Sequence, residues 1–92
     1  MPAPVTVIGE VLIDILHPVQ GHPVEHVGGS PANVAVGLAR LGHPTRLVTH
    51  FGTDLRGQRI ADLMAAEGVQ LAPASQTATH TPTAAAHLWA CD

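Results

Sequence analysis

Apolar and polar positions along this chain follow first one period and then another, and each change of period marks an element. Val5 to Leu16 reads Val-Thr-Val-Ile-Gly-Glu-Val-Leu-Ile-Asp-Ile-Leu, a β-branched run that predicts a strand buried on both faces in a parallel sheet. Glu10 and Asp14 interrupt it, because an ionised carboxylate in such a strand must find donors or stay near water. His17 to Val27 contains Pro18, Gly21 and Pro23, which predicts a turn or an irregular edge ribbon. The next stretch, Gly28-Gly29-Ser30-Pro31-Ala32-Asn33-Val34-Ala35-Val36-Gly37-Leu38-Ala39-Arg40-Leu41-Gly42, switches to helical spacing. Ser30 reads as the N-cap, Pro31 as the first helical residue and Val34, Leu38 and Leu41 as the apolar stripe, with Gly42 and Pro44 as the stop. Asn33 falls in the first turn, on the end a polar ligand would meet.

Thr45 to Phe51 predicts a second strand, closed by Gly52-Thr53-Asp54. Asp54 is a good N-cap for a second helix with Ile60, Leu63 and Met64 on its apolar face and Gly68 as its end. Val69-Gln70-Leu71 starts a third strand, Ala72 to Thr83 reads as an aperiodic loop, and Ala84 to Cys91 reads as a further strand. Strands alternating with helices predict an α/β fold with a parallel, Rossmann-like sheet. A strand that closes the sequence with no crossover after it predicts a sheet that continues beyond Asp92.

Composition narrows the picture. With 92 residues, 46% hydrophobic but only 2% aromatic, the chain makes one small domain with a thin core of Val, Leu, Ile and Ala. A formal charge of −3 and four unclustered basic residues exclude an electrostatic footprint for nucleic acid or an anionic membrane. The single cysteine, Cys91, excludes an intrachain disulfide. Met1-Pro2-Ala3-Pro4 lacks a basic leader region and acids break the apolar run that follows, so neither a signal peptide nor a membrane span is expected and a cytoplasmic setting is.

Seven histidines raise the question of a metal. Only His22 and His26 have helical spacing, with Pro23 between them in a segment that does not read as helix, so no metal site is expected. No Gly-x-Ser-x-Gly elbow, Gly-x-Gly-x-x-Gly or Gly-x-x-x-x-Gly-Lys-Ser/Thr pattern is present, which weakens nucleophile, dinucleotide and P-loop readings. The helix start from Gly28 to Asn33 can be a well-capped structural feature. Its alternative arises because open α/β sheets bind ligands beyond the carboxyl ends of their strands, where Asp14, Asn33 and Gly52-Thr53-Asp54 are expected to gather. A carboxylate and an amide converging there suit a polyhydroxylated ligand.

Gly9-Glu10-Val11-Leu12-Ile13-Asp14, the Gly28 to Gly42 stretch, and Gly52-Thr53-Asp54 with Gly57 together resemble the N-terminal portion of the ribokinase-like (PfkB) carbohydrate kinases, most closely the fructokinase type. The resemblance covers nearly the whole chain. It implies a Rossmann-like sheet with part of a small β lid, incomplete at the C-terminus, with residues 17–27 and 84–92 as lid strands. It implies that the whole of residues 1–92 is the sugar-binding portion of an enzyme that phosphorylates a sugar hydroxyl from ATP. Asp14 would accept from sugar hydroxyls, Gly28 and Gly29 would let the backbone approach the sugar, and Asn33 would bind another hydroxyl. Asp54 and Gly57 would be structural. The family's base, an Asp in a Gly-Ala-Gly-Asp motif, and its site for ATP with Mg2+ fall outside these residues, so the chain alone is expected to be inactive, with no catalytic residue or cofactor ligand of its own. The partner is a small-molecule sugar, and the full-length protein has room for a homodimer through the lid. The rival readings are a non-catalytic carbohydrate-binding or assembly module and a nucleoside kinase of the same superfamily, the latter short of aromatic residues to stack a base.

Overall fold

The computed structural model describes residues 3–88 and divides them among eight strands and two helices. In chain order these are β1 (Val5–Ile8), β2 (Leu12–His17), β3 (Val24–Gly28), α1 (Ser30–Arg40), β4 (Thr45–Val48), β5 (Phe51–Gly52), α2 (Leu55–Ala66), β6 (Val69–Leu71), β7 (Gln76–Ala78) and β8 (Thr83–His87). A central parallel sheet has the order β1-β4-β6, and a second sheet has the order β3-β2-β8. The α/β alternation read from the sequence is therefore present: α1 lies between β1 and its parallel neighbour β4, and α2 between β4 and β6.

The opening run is two strands in two sheets, not one strand buried on both faces. β1 forms an edge of the central sheet, with Ile8 75% exposed, and the chain then crosses through Gly9, Glu10 and the fully buried Val11 into the second sheet. The two-residue period alone does not show the transfer, because both strands share it; Gly9 and Glu10, which break the apolar run, stand at the crossing. In the second sheet β2 is central, antiparallel to β3 and parallel to β8, so residues 17–27 split into a turn and a regular strand. His17 and His87 are register partners there, and their rings stack with centroids 4.4 Å apart. The strand expected over 84–91 begins at Thr83; Trp89, Cys91 and the rest of that expectation lie outside the described residues.

Helix α1 ends as its sequence dictates. Leu41 is the C-cap, Gly42 takes a φ of +88°, its N–H donates to the Ala39 carbonyl, and the His43 N–H donates to the Leu38 carbonyl. These are the paired bonds of a Schellman end. Its start and its buried face differ from expectation. The N-cap is Gly29, at φ 100° and ψ 127°, and no side chain caps the helix, so Ser30 is already helical. Ala32 and Ala35 are buried while Val34 and Leu41 are 52% and 77% exposed. The helix is apolar nearly all round, and the side with small residues is the one that lies closest to the sheet. Alanine lets the backbone approach where valine and leucine would hold it away.

Helix α2 follows the sequence more closely. Asp54 caps it through the Gly57 N–H, Ile60 and Met64 are fully buried, Leu63 packs against them and Gly68 stands at φ +75°. Val11, Ile13, Ala32, Ala35, Leu47, Phe51, Ile60, Met64 and Val69 make the core, with Phe51 the one aromatic residue in it among the described residues. The stretch from Ala72 to Thr83, read as loop, contains β7, which pairs in parallel with the two-residue β5 across an irregular register. The radius of gyration is 14.7 Å, against the roughly 12 Å of a compact chain this long. The excess reflects a second sheet extending away from the helix-covered one. Among the described residues no helix is long and apolar enough to cross a membrane.

Candidate functional site

Strand alternation decides which side of the second sheet each residue serves. Ile13, Ile15 and Val27 face the core, so Asp14 and its cross-strand partner His26 stand on the opposite, exposed side. Leu12 pairs with Gly28, which places Gly28 diagonally beside Asp14. The Asp14 carboxylate lies directly over that glycine: a Cβ on Gly28 would overlap Oδ2 and come within 2.8 Å of Cγ. A backbone stripped of its side chain thus makes the slot in which the carboxylate rests.

Gly29 holds the other half of the turn. Its φ of +100° belongs to the left-handed region that L side chains avoid, and a Cβ there would stand 2.8 Å from the Glu10 carbonyl oxygen. The start of α1 is thereby pressed against the connection that follows β1, at the carboxyl end of that strand. Asn33, one turn along, donates its backbone N–H to the Gly29 carbonyl at 3.1 Å, and its side chain is exposed beside a cleft of about 320 Å³ shared with Val36, Arg40, Leu63 and Glu67. Asp14 thus meets the Gly28-Gly29 turn at Gly28, whereas the Asn33 side chain borders a cleft that Val27 also lines, on the face of the second sheet opposite Asp14. No side-chain hydrogen bond links Asp14 to Asn33 among the described residues.

The third motif does different work. The Asp54 carboxylate accepts from the Gly57 N–H at 2.9 Å, from the Thr81 N–H at 3.0 Å and from the Thr81 hydroxyl at 2.5 Å. Led by the Thr81 hydroxyl and then the two backbone donors, these bonds pull its pKa from 3.8 to about 2. The Thr81 hydroxyl also accepts from the Gly52 N–H at 3.1 Å, and Gly57 packs so closely that a Cβ would overlap the Gly52 carbonyl oxygen. Three bonds from Gly57 and Thr81 converge on its two oxygens, so Asp54 acts as a structural brace. The sequence offered Asp54 and Gly57 for that role; Thr81, in what read as a loop, had no signal.

A second cluster was also silent in the sequence. Glu25, on the core-facing side of β3, accepts from Arg56 at 2.9 and 3.1 Å and from Arg59 at 3.1 Å, tying the second sheet to α2. The hydrogen bond from Arg56 is the main cause of its lowered pKa. Arg40 grips Glu67 in the same bidentate way. Its only available clue was parity, since Glu25 and His26 are adjacent and must face opposite sides. Just beyond β4 the buried Thr49 hydroxyl has no partner among the described residues.

These pairs also test whether a nucleoside triphosphate fits. Of the four arginines, Arg40, Arg56 and Arg59 are already bound to carboxylates. The first-turn amide of Asn33 is committed to Gly29. The described residues do not make a triphosphate cradle.

A parallel sheet with helices between its strands, carrying a small mixed sheet whose central acid faces outward, is the ribokinase-like fold. The chain belongs to the pfkB family of carbohydrate kinases, which it matches over residues 3–90. It is 36% identical to a fructokinase of Escherichia coli over 80 residues, 87% of this chain and 26% of the relative, and 38% identical to a putative sugar kinase of Pyrococcus horikoshii over 68 residues, 67% of this chain and 22% of the relative. Among solved structures, it superposes on a fructokinase with bound ATP from Xylella fastidiosa with a TM-score of 0.81 at 36% identity, covering 91% of this chain and 29% of that one. A carbohydrate kinase from Agrobacterium tumefaciens gives the same TM-score at 27% identity, with 90% and 30% covered. The chain thus spans about a quarter of the length of the curated relatives it matches.

Proposed function

We propose that the protein to which this chain belongs transfers phosphate from ATP to a hydroxyl of a fructose-like sugar, and that residues 1–92 supply the sugar-binding side. The observation that carries the reading is the Asp14 carboxylate seated over the bare backbone of Gly28 on the open side of the second sheet, in a chain of this family. An ionised carboxylate only accepts, so it suits the hydroxyls of a sugar, and the side-chain-free Gly28 and Gly29 let the ligand approach the backbone. Asn33, which both donates and accepts, holds a further hydroxyl. Within the segments expected as lid, β3 and β8 act as lid strands over the bound sugar. ATP supplies the phosphoryl group. The 92 residues contain no Gly-Ala-Gly-Asp, so on this reading the base and the ATP site are supplied by chain outside this stretch.

ADP formation by the full-length gene product across a panel of sugars tests this, with a fructose-like sugar expected to stimulate it and Asp14→Asn to abolish the stimulation. No stimulation by any sugar would overturn the proposal. The rival reading, a carbohydrate-binding or assembly module, draws support from the poor fit of these residues to a triphosphate. Sugar binding without turnover by the full-length product would identify it.

A further inference from the structure

On the open side of the second sheet the register places a small grid of residues around Asp14. Along β2 its neighbours are Leu12 and Leu16; across the sheet stand Ala84 of β8 and His26 of β3; diagonally lie Gly28, Val24 and Ala86. Around the carboxylate the grid is low, since alanine and glycine occupy one side and one corner. His26 is the other polar side chain in it and is exposed. Residues directly opposite on antiparallel strands have Cβ atoms about 4.5–5.5 Å apart. The Asp14 carboxylate nevertheless leans away from His26, over Gly28, and no hydrogen bond or ion pair joins the two side chains among the described residues. A carboxylate and an imidazole thus stand on directly opposed, exposed positions of neighbouring strands, with no bond between them among the described residues.

We propose that His26 is a second sugar-contact residue, its imidazole binding the hydroxyl next to the one that Asp14 holds. This rests on the reading of the site as a sugar site. A neutral imidazole has one donor and one acceptor nitrogen, so it can meet a hydroxyl in either direction, while Asp14 takes a hydroxyl only as acceptor. Hydroxyls on adjacent sugar carbons lie about one hydrogen-bond length apart, so two residues paired across neighbouring strands can each meet one of them. Arg56 and Arg59 are tied to Glu25 on the reverse of this face. The chemistry of Asp14 and His26 suits a sugar with neighbouring hydroxyls.

The test uses the full-length enzyme with His26→Ala and His26→Gln, measuring KM for the sugar, KM for ATP and kcat, beside Asp14→Asn as a reference. Removing one neutral hydrogen bond corresponds to roughly a two- to tenfold weakening. His26→Ala is expected to raise the sugar KM by that factor while kcat and the ATP KM stay within about twofold, and His26→Gln is expected to recover most of it. Because His26 is exposed, Tm should not move. An unchanged sugar KM in His26→Ala, or an equal loss in His26→Gln, overturns the role of His26. If Asp14→Asn still abolishes the sugar response in that case, the sugar-site reading survives. A wild-type enzyme that phosphorylates no sugar overturns both.

Discussion

One threonine satisfies one aspartate twice: Thr81 gives Asp54 both its hydroxyl and its backbone N–H, across a sequence separation of 27. The same hydroxyl accepts from the buried Gly52 amide, so the cap of α2, the end of β5 and the approach to β8 share a single side chain. Replacing it with the isosteric valine removes the acceptor of Gly52 and a donor to Asp54 together. Thr81→Val is expected to cost about 1–3 kcal/mol, since a buried N–H is left unpaired. A urea unfolding curve with a lower midpoint and an unchanged slope would report it, and a midpoint equal to the wild type would contradict the brace.

The brace also sets an acid limb of stability. Asp54 has a folded pKa of about 2, below its ordinary 3.8, so its contribution is fully present above pH 4 and lost as the pH falls from about 4 towards 2. Glu25 and Glu67 are lowered as well, by Arg56 and Arg40, and act in the same direction. Tm measured from pH 6 to pH 2 should stay level at first and then fall. In Thr81→Val the Asp54 carboxyl should titrate closer to 3.8, and the fall should be shallower.

The two glycines of the Gly28-Gly29 turn are expected to respond differently to alanine. At Gly28 the obstacle is the movable end of Asp14, so Gly28→Ala should displace the carboxylate and raise the sugar KM of the full-length enzyme with little change in Tm. At Gly29 the obstacles are a φ of +100° and the Glu10 carbonyl, which the chain cannot swing aside, so Gly29→Ala should lower stability by about 1–3 kcal/mol. Equal effects on KM and Tm in both variants would argue against this division.

Helix α1 offers a direct test of which side faces the sheet. Leu41→Gln, at a site 77% exposed, should change stability by less than about 0.5 kcal/mol. Ala35→Leu, at a fully buried site, should cost about 1–3 kcal/mol by overpacking. The reverse order in thermal denaturation would restore Val34, Leu38 and Leu41 as the buried stripe.

What the sequence determined by itself was local. Gly42 ends α1 because only its neighbourhood matters to a left-handed residue that returns two amides to the last turn, and Asp54 starts α2 because its carboxylate needs only the amide three residues on. The alternation of strands and helices, and with it the parallel sheet, followed from periods that each segment carries internally. Tertiary structure decided what depends on which surfaces meet. The period of Val5 to Leu16 could not show that it leaves one sheet for another, since both sheets impose the same period, although Gly9 and Glu10 break the run where it does. Helix α1, apolar on most of its surface, could not show that its alanines would be buried and Leu41 left out, because closeness of approach to the sheet makes that choice. The place of Asp14 over Gly28, of His26 across from Asp14 and of Thr81 on Asp54 arises from strand register and from contacts between residues 12 to 27 positions apart. The sequence named the acid and the glycines of the candidate site; only the register between strands placed them together and set a histidine beside them.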